Sequence, residues 1–216
     1  MMKQNIAAAF FKKIFSIGES KTFSATNRTK TSKASDKTTS AFSHAAKPAA
    51  ASANPVDKLR TNIIEDAAFT YTFTSGDAAT TPRGMNCSTH FDETNDIEYI
   101  KLSNGKPNAK SAGSTGGYSI RLPDVIEAAA SGNHIVVSII ARAAKNFQSR
   151  FALAYSTNEV GNSGWCWFNA GKEWSIFTME YDVPVMKNGN SDFVGILVES
   201  EGKPSTEFYL LTITIS

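Results

Sequence analysis

After Pro55 the chain breaks into short runs of β-type residues, and nearly every gap between them carries Gly, Asn, Pro or Ser. The runs are FTYTFT (69–74), HIVVSIIARA (134–143), RFALAYS (150–156), GWCWF (164–168), EWSIFTMEYDV (173–183), DFVGILVES (192–200) and FYLLTITIS (208–216). Gly, Asn and Pro punctuate because they take the backbone angles a turn demands, whereas β-branched and aromatic residues suit a pleated, half-buried surface. Strands this short, spaced by roughly a dozen residues, predict an all-β fold, an antiparallel β-sandwich or jelly roll, over residues 62–216. The one helical interruption expected is LPDVIEAAAS (122–131), with Pro123 near its start.

Side chains alternate across a strand, so period two sorts the faces. In EWSIFTMEYDV the set ending Phe177, Met179, Tyr181 and Val183 is continuously apolar and is expected to face the core, leaving Trp174, Ile176, Thr178, Glu180 and Asp182 on a mixed face. In HIVVSIIARA the apolar face is Ile135, Val137, Ile139 and Ala141, opposite Val136, Ser138, Ile140 and Arg142.

The segment before the sandwich differs in kind. Residues 1–62 hold eleven Lys and Arg against three acids, and residues 63–216 hold eleven against seventeen, so the net charge of +2 is +8 and −6 added together. Residues 19–61 are rich in Ser, Thr, Ala and Lys and bury too little apolar surface to offset the entropy of ordering; a disordered basic linker is expected there. Ile6, Phe10, Ile14 and Ile17 stand near helical spacing with Lys12 and Lys13, which predicts a short amphipathic helix within residues 1–18 and a membrane-surface or protein contact through residues 6–17. The apolar run there, IAAAFF, is far below the roughly 20 residues of a membrane span, and below the roughly 7 to 15 of a secretory leader. No transmembrane span is expected. The lysines of the tail are not interleaved with aromatics, so no nucleic-acid partner is expected either.

Cys87 and Cys166 are too few for a disulfide framework or a zinc site; they are expected as one bridge in an oxidising compartment or as two buried thiols. Catalytic signatures are lacking. The three histidines are His44, His90 and His134, GNSGW has the wrong spacing for a nucleophile elbow, and no phosphate loop or dinucleotide fingerprint occurs. Glu159, Glu173, Glu180 and Asp182 could in number supply a glycosidase pair, but acids on the outward face of a strand read as solvated surface. HFDETNDIE (90–98) offers Asp92, Glu93, Asp96 and Glu98 as hard-oxygen ligands without fixed loop spacing, and reads as a solvated loop. No enzyme activity is expected.

From Gly132 onward the strand pattern acquires a family likeness. Gly132, Ile135, Val137, Ser138, Ala141 and Arg142, then Trp174, Phe177, Tyr181, Val183 and Pro184, then Asp192, Val194, Gly195 and Ile196, and a closing run from Phe208 to Ile215 together resemble carbohydrate-binding modules of the galactose-binding-like jelly-roll type. NIIEDAAF (62–69) is similar to the first strand of the same modules. The resemblance implies non-catalytic binding of a polysaccharide or glycan, and weakly favours an extracellular or cell-surface setting. Many members hold a structural calcium with an acidic pair before the final strand. This chain has only Glu207 there, with Glu65 as the other ligand position, a departure that weighs against the ion, so no cofactor is expected.

A pyranose ring is gripped by a flat aromatic face plus amides or carboxylates for its hydroxyls. Trp165 and Trp167 stand two apart in one run and are expected on one side, with Tyr155 on the preceding strand and Asn158, Glu159 and Asn162 in the loop between. These six are the candidate ligand-binding residues. Burial of the tryptophans in a core is the competing reading, and for Trp174 the resemblance implies a packing position. Arg142 and Arg150 could add hydrogen bonds to an acidic sugar. The alternative function is a structural or protein-interaction sandwich, such as an assembly subunit.

Overall fold

The computed structural model describes residues 54–74, 79–103, 116–144, 148–189, 191–199 and 204–216. The amphipathic helix expected within residues 1–18, and the linker as far as residue 53, lie outside the described residues. Two antiparallel sheets make a β-sandwich. The six-stranded sheet runs β2 (Asn86–Asp92), β3 (Ile97–Ser103), β11 (Thr206–Ile215), β5 (His134–Ala143) and β9 (Ser175–Asp182), with β1 (Phe69–Thr72) also paired to β11. The five-stranded sheet runs β4 (Tyr118–Arg121), β10 (Phe193–Val198), β6 (Ser149–Thr157) and β7 (Gly161–Asn162), with β8 (Cys166–Ala170) also on β6. Helix α1 (Pro55–Ile64) precedes the strands, and α2 (Asp124–Ala130) links β4 to β5 within the expected 122–131.

The core lies between the sheets, and alternation fills it as the sequence predicts. Ile135, Val137, Ile139 and Ala141 of β5 point inward, as do Met179 with Phe177 and Tyr181 of β9. Phe151, Leu153 and Tyr155 of β6 and Val194, Ile196 and Val198 of β10 meet them from the other sheet. Aromatic edges lock this interior: Phe151 meets Phe177 at 5.1 Å and Phe208 at 5.2 Å, both nearly perpendicular.

Two boundaries differ from expectation. Residues 55–61, expected in the linker, form most of α1, which starts where the Asn54 side chain accepts the Val56 N–H and Pro55 takes the first turn. Val56 and Ile63 of this helix are buried with Ile97, Tyr99, Ile140, Tyr209 and Leu210, a second apolar cluster on the outer face of the six-stranded sheet. NIIEDAAF is consequently a helix end and a turn, and the first strand begins only at its last residue, Phe69. HFDETNDIE, expected as a solvated loop, is a hairpin between β2 and β3. Asp92 closes it by accepting N–H bonds from Thr94 and Asn95.

The consequence for function is an asymmetry. One sheet has its outer face covered by α1. The outer face of the other is where the remaining candidate residues must be sought.

Candidate functional site

Strand β8 sorts two of the tryptophans. The Phe168 ring lies 5.3 Å from Phe151 and 5.7 Å from Phe177, inside the sandwich. Its neighbours Trp167 and Asn169 therefore point outward. Trp167 is 40% exposed, and the Arg150 guanidinium stacks over its ring at 4.5 Å. Register explains the pairing: Trp167 faces Ala152 and Asn169 faces Arg150 across the β6–β8 ladder, which makes Arg150 the diagonal neighbour of the ring.

Beside Trp167 the outward side of the sheet is made of small residues that are themselves buried, Ala152, Ala154 and Ser119 being 0%, 5% and 2% exposed. Ser119, Gly195 and Ala154 stand in one row across β4, β10 and β6. Trp165 lies next to this row. It precedes β8, is half-buried, and packs against the cluster that contains Ala152 and Leu197. Its Cη2 comes to 3.1 Å from where a Cβ on Gly117 would sit, a position that would also be 2.3 Å from the Ile196 carbonyl oxygen. Only glycine fits at 117. The outer face of the five-stranded sheet thus carries one exposed and one half-buried indole with Arg150 and Asn169.

The other candidates fall elsewhere. Tyr155, expected on the binding face, is 0% exposed. It shares the parity of Phe151 and Leu153 and so points between the sheets, where its hydroxyl donates to Asp192 Oδ2 at 2.5 Å. Burial and the Asp192 carboxylate push the Tyr155 pKa well up, so the phenol stays protonated. Asn158 donates to the Ser191 carbonyl. Glu159 accepts the N–H groups of Lys187, Asn188 and Gly189 at 2.8, 3.0 and 3.1 Å. Those N–H groups hold the Glu159 pKa below its usual value. Asn162 accepts the Gly164 N–H at 2.9 Å. It faces Ser156 while Trp167 faces Ala152, four positions along β6 and so about 13 Å away. These three polar side chains organise loops at the end of β6 and do not border Trp167.

Trp174 sits on the outer side of the other sheet, as alternation has it, and packs against the α1 cluster rather than the main core. The Arg142 guanidinium lies 4.3 Å from its ring centre and 5.4 Å from that of Tyr99. The same guanidinium pairs with Glu207 at 2.6 Å and Asp92 at 3.0 Å. Burial works against the Arg142 charge, but the two carboxylates outweigh it and hold its pKa above the usual value. Glu207, an expected calcium position, is thus the partner of an arginine, and Glu65 is exposed on the turn after α1. Among the described residues no group of three or more His, Cys, Asp and Glu is placed to hold a metal ion. Cys87 on β2 and Cys166 on β8 lie in different sheets with both thiols exposed, which corrects the expectation of two buried thiols.

One pair escaped the sequence. Asp192, just before β10, and Glu127, on α2, are buried carboxylates. Desolvation, reinforced by Glu127 and Glu159 and opposed by the Tyr155 hydrogen bond, pushes the Asp192 pKa up to about 6. No helix among the described residues is long and apolar enough to cross a membrane.

No protein-family model and no curated protein matches the chain. Solved structures do. The CBM22-1–GH10 modules of endo-1,4-β-D-xylanase 10B from Clostridium thermocellum, complexed with xylohexaose, superpose with a TM-score of 0.50 at 15% identity over 70% of this chain and 29% of that one. The CBM22-1–CBM22-2 tandem domain of Xyn10C from Paenibacillus barcinonensis gives a TM-score of 0.50 at 12% identity over 69% and 44%. The fold is that of carbohydrate-binding modules. The chain spans less than half the length of either of these two structures.

Proposed function

We propose that residues 54–216 bind a polysaccharide without catalysis, through the outer face of the five-stranded sheet. The observation that carries this is Trp167: a large indole, 40% exposed, on the outward side of β8 with the Arg150 guanidinium beside it. An indole in that position offers its π-face to the C–H side of a sugar ring. Asn169 and Arg150 stand beside it on the same face with donors, and the Asn169 carboxamide with an acceptor, for the sugar hydroxyls. Trp165 adds a second aromatic surface next to the small-residue row. Arg150 occupies part of the Trp167 ring, so a sugar stacks on what remains exposed or displaces the guanidinium.

Tyr155 is no part of this surface, and Asn158, Glu159 and Asn162 act as loop supports rather than ligand contacts. Xylan is the first ligand to test, since xylohexaose is bound in one structure of like fold. The test is affinity electrophoresis and tryptophan-fluorescence titration against xylan and other soluble polysaccharides. Retardation by one of them, together with a fluorescence change that Trp167→Ala abolishes, supports the reading. A folded protein that none of them retards or quenches defeats it.

A further inference from the structure

Strand β2 stands at the end of the six-stranded sheet. It pairs with β3 through seven consecutive residues without a bulge, and among the described residues no other strand pairs with its far side. Alternate residues of an edge strand direct their N–H and C=O groups away from the sheet, so this edge offers a row of backbone donors and acceptors. Asn86, Cys87, Ser88, Thr89 and Phe91 are all exposed, which takes in both faces of the strand, and Phe91 is 58% exposed. The edge is open to a partner.

Edge strands are ordinarily kept from pairing with other chains by shortness, a bulge, a proline or charge. The other strands at sheet margins show such devices: β1, β4, β7 and β8 have five residues or fewer, and β9 carries Glu180 and Asp182 exposed. Strand β2 has none of them. Asn86 to Phe91 hold no proline, lysine, arginine or carboxylate, and the one acid of the strand, Asp92, is held by Arg142 at 3.0 Å.

A second copy fits this edge because the strand complements itself. A two-fold axis perpendicular to the sheet keeps equivalent faces on the same side, so it must pass through a residue rather than between two. Through Thr89 it pairs all seven residues: Thr89 with Thr89, Ser88 with His90, Cys87 with Phe91 and Asn86 with Asp92. No like charges face one another, and each exposed phenyl gains a neighbour. Charge also selects the direction. Arg83 before the strand and Glu93 after it are both exposed, so an antiparallel pair brings opposite charges together at each end, where a parallel pair sets like beside like.

We propose that β2 pairs antiparallel with β2 of a second copy of this chain, about a two-fold axis through Thr89, joining the two six-stranded sheets into one. A single strand pair buries less surface than a permanent dimer, so the association is reversible, with a dissociation constant of about 10 to 500 μM. The pairing is independent of the polysaccharide reading.

Sedimentation of the full chain under reducing conditions, from about 5 μM to 1 mM, is expected to show a concentration-dependent equilibrium of monomer and dimer. Thr89→Lys sets two ammonium groups against each other at the axis and weakens the dimer at least about tenfold, whereas Thr178→Lys, at an exposed position on β9, leaves it unchanged. In a Cys87→Ser, Cys166→Ser background, mild oxidation traps Thr89→Cys as a covalent dimer and leaves Thr178→Cys monomeric, because only facing residues bring their Cα atoms within disulfide reach. A wild type that stays monomeric through the whole range overturns the proposal. So does a dimer that Thr89→Lys does not weaken, which would put the contact in residues 1–53 or on another surface, and so does equal trapping of the two cysteine variants. Should Thr89→Lys not fold, the trapping decides: a covalent dimer of Thr89→Cys alone supports the pairing, and its absence refutes it.

Discussion

The Arg150 guanidinium lies over the Trp167 ring at 4.5 Å, on the outward side of the β6–β8 pair. An exposed contact of this kind contributes about 0.5–1 kcal/mol, too little to serve as a reason for stability. It does fix the indole's orientation. Trp167→Ala is therefore expected to leave the unfolding midpoint nearly unchanged and to weaken polysaccharide binding by about tenfold or more. Arg150→Ala should weaken it less, by about two- to fivefold, because the ring survives and only its support is lost. Paired titrations and urea melts of both variants check this, and an unaltered affinity in Trp167→Ala would move the site off β8.

Tyr155 provides the opposite case. Its hydroxyl is the one donor to the Asp192 side chain among the described residues, and the whole Tyr155 side chain is enclosed. Tyr155→Phe is expected to cost about 1–3 kcal/mol in urea unfolding near neutral pH, the penalty for stranding a buried carboxylate oxygen, with no change in sugar affinity. A loss of affinity at unchanged stability would return Tyr155 to the binding face.

These two residues also show what the sequence could tell. The inward direction of Tyr155 was legible, since Phe151 and Leu153, four and two positions earlier, are apolar and share its parity; proximity to the loop was the misleading cue. The limits of β5 and the inward set of β9 were legible for the same reason, strict period-two apolar runs. The Arg150–Trp167 contact was not, because it depends on the β6–β8 register, and register is a relation between strands. Nor were the buried carboxylates Glu127 and Asp192, which come from α2 and the residue before β10 with no shared motif. Helix α1 had its signal in Asn54 and Pro55, but the Ala- and Ser-rich text before it masked a cap whose apolar stripe, Val56, Leu59 and Ile63, needs a sheet to pack on.

That stripe gives the third prediction. Val56 and Ile63 seal the second cluster over Ile140, Tyr209 and Leu210. Ile63→Ala is expected to destabilise the domain by about 2 kcal/mol, the low end for a large-to-small change because the helix lies at the surface and can settle. Hydrogen exchange should rise at the backbone amides of α1 and leave those of β6 and β8 protected. Equal acceleration in the five-stranded sheet would show that the helix belongs to the main cooperative core instead.

The last prediction concerns Arg142, which neutralises Asp92 and Glu207 together while lying over Trp174. Removing it by Arg142→Met leaves two largely buried carboxylates facing each other without a cation, and is expected to cost about 3 kcal/mol at neutral pH. The pH dependence follows from Asp92. Its burial favours the proton, but the Asn95 donors and the Arg142 charge prevail and hold its pKa below the usual 3.8. Between the lowered folded value and 3.8 the unfolded chain binds more protons than the folded one, so stability falls as the pH falls. The contribution of Asp92 is present in full above the unfolded value and is lost once the pH passes below the folded one. Asp92→Asn should accordingly be less stable than wild type at neutral pH and lose less on acidification, so that the two urea-unfolding curves converge as the pH falls below the lowered folded pKa of Asp92. Curves that stay parallel down to that pH would mean that Arg142 is held by Glu207 alone.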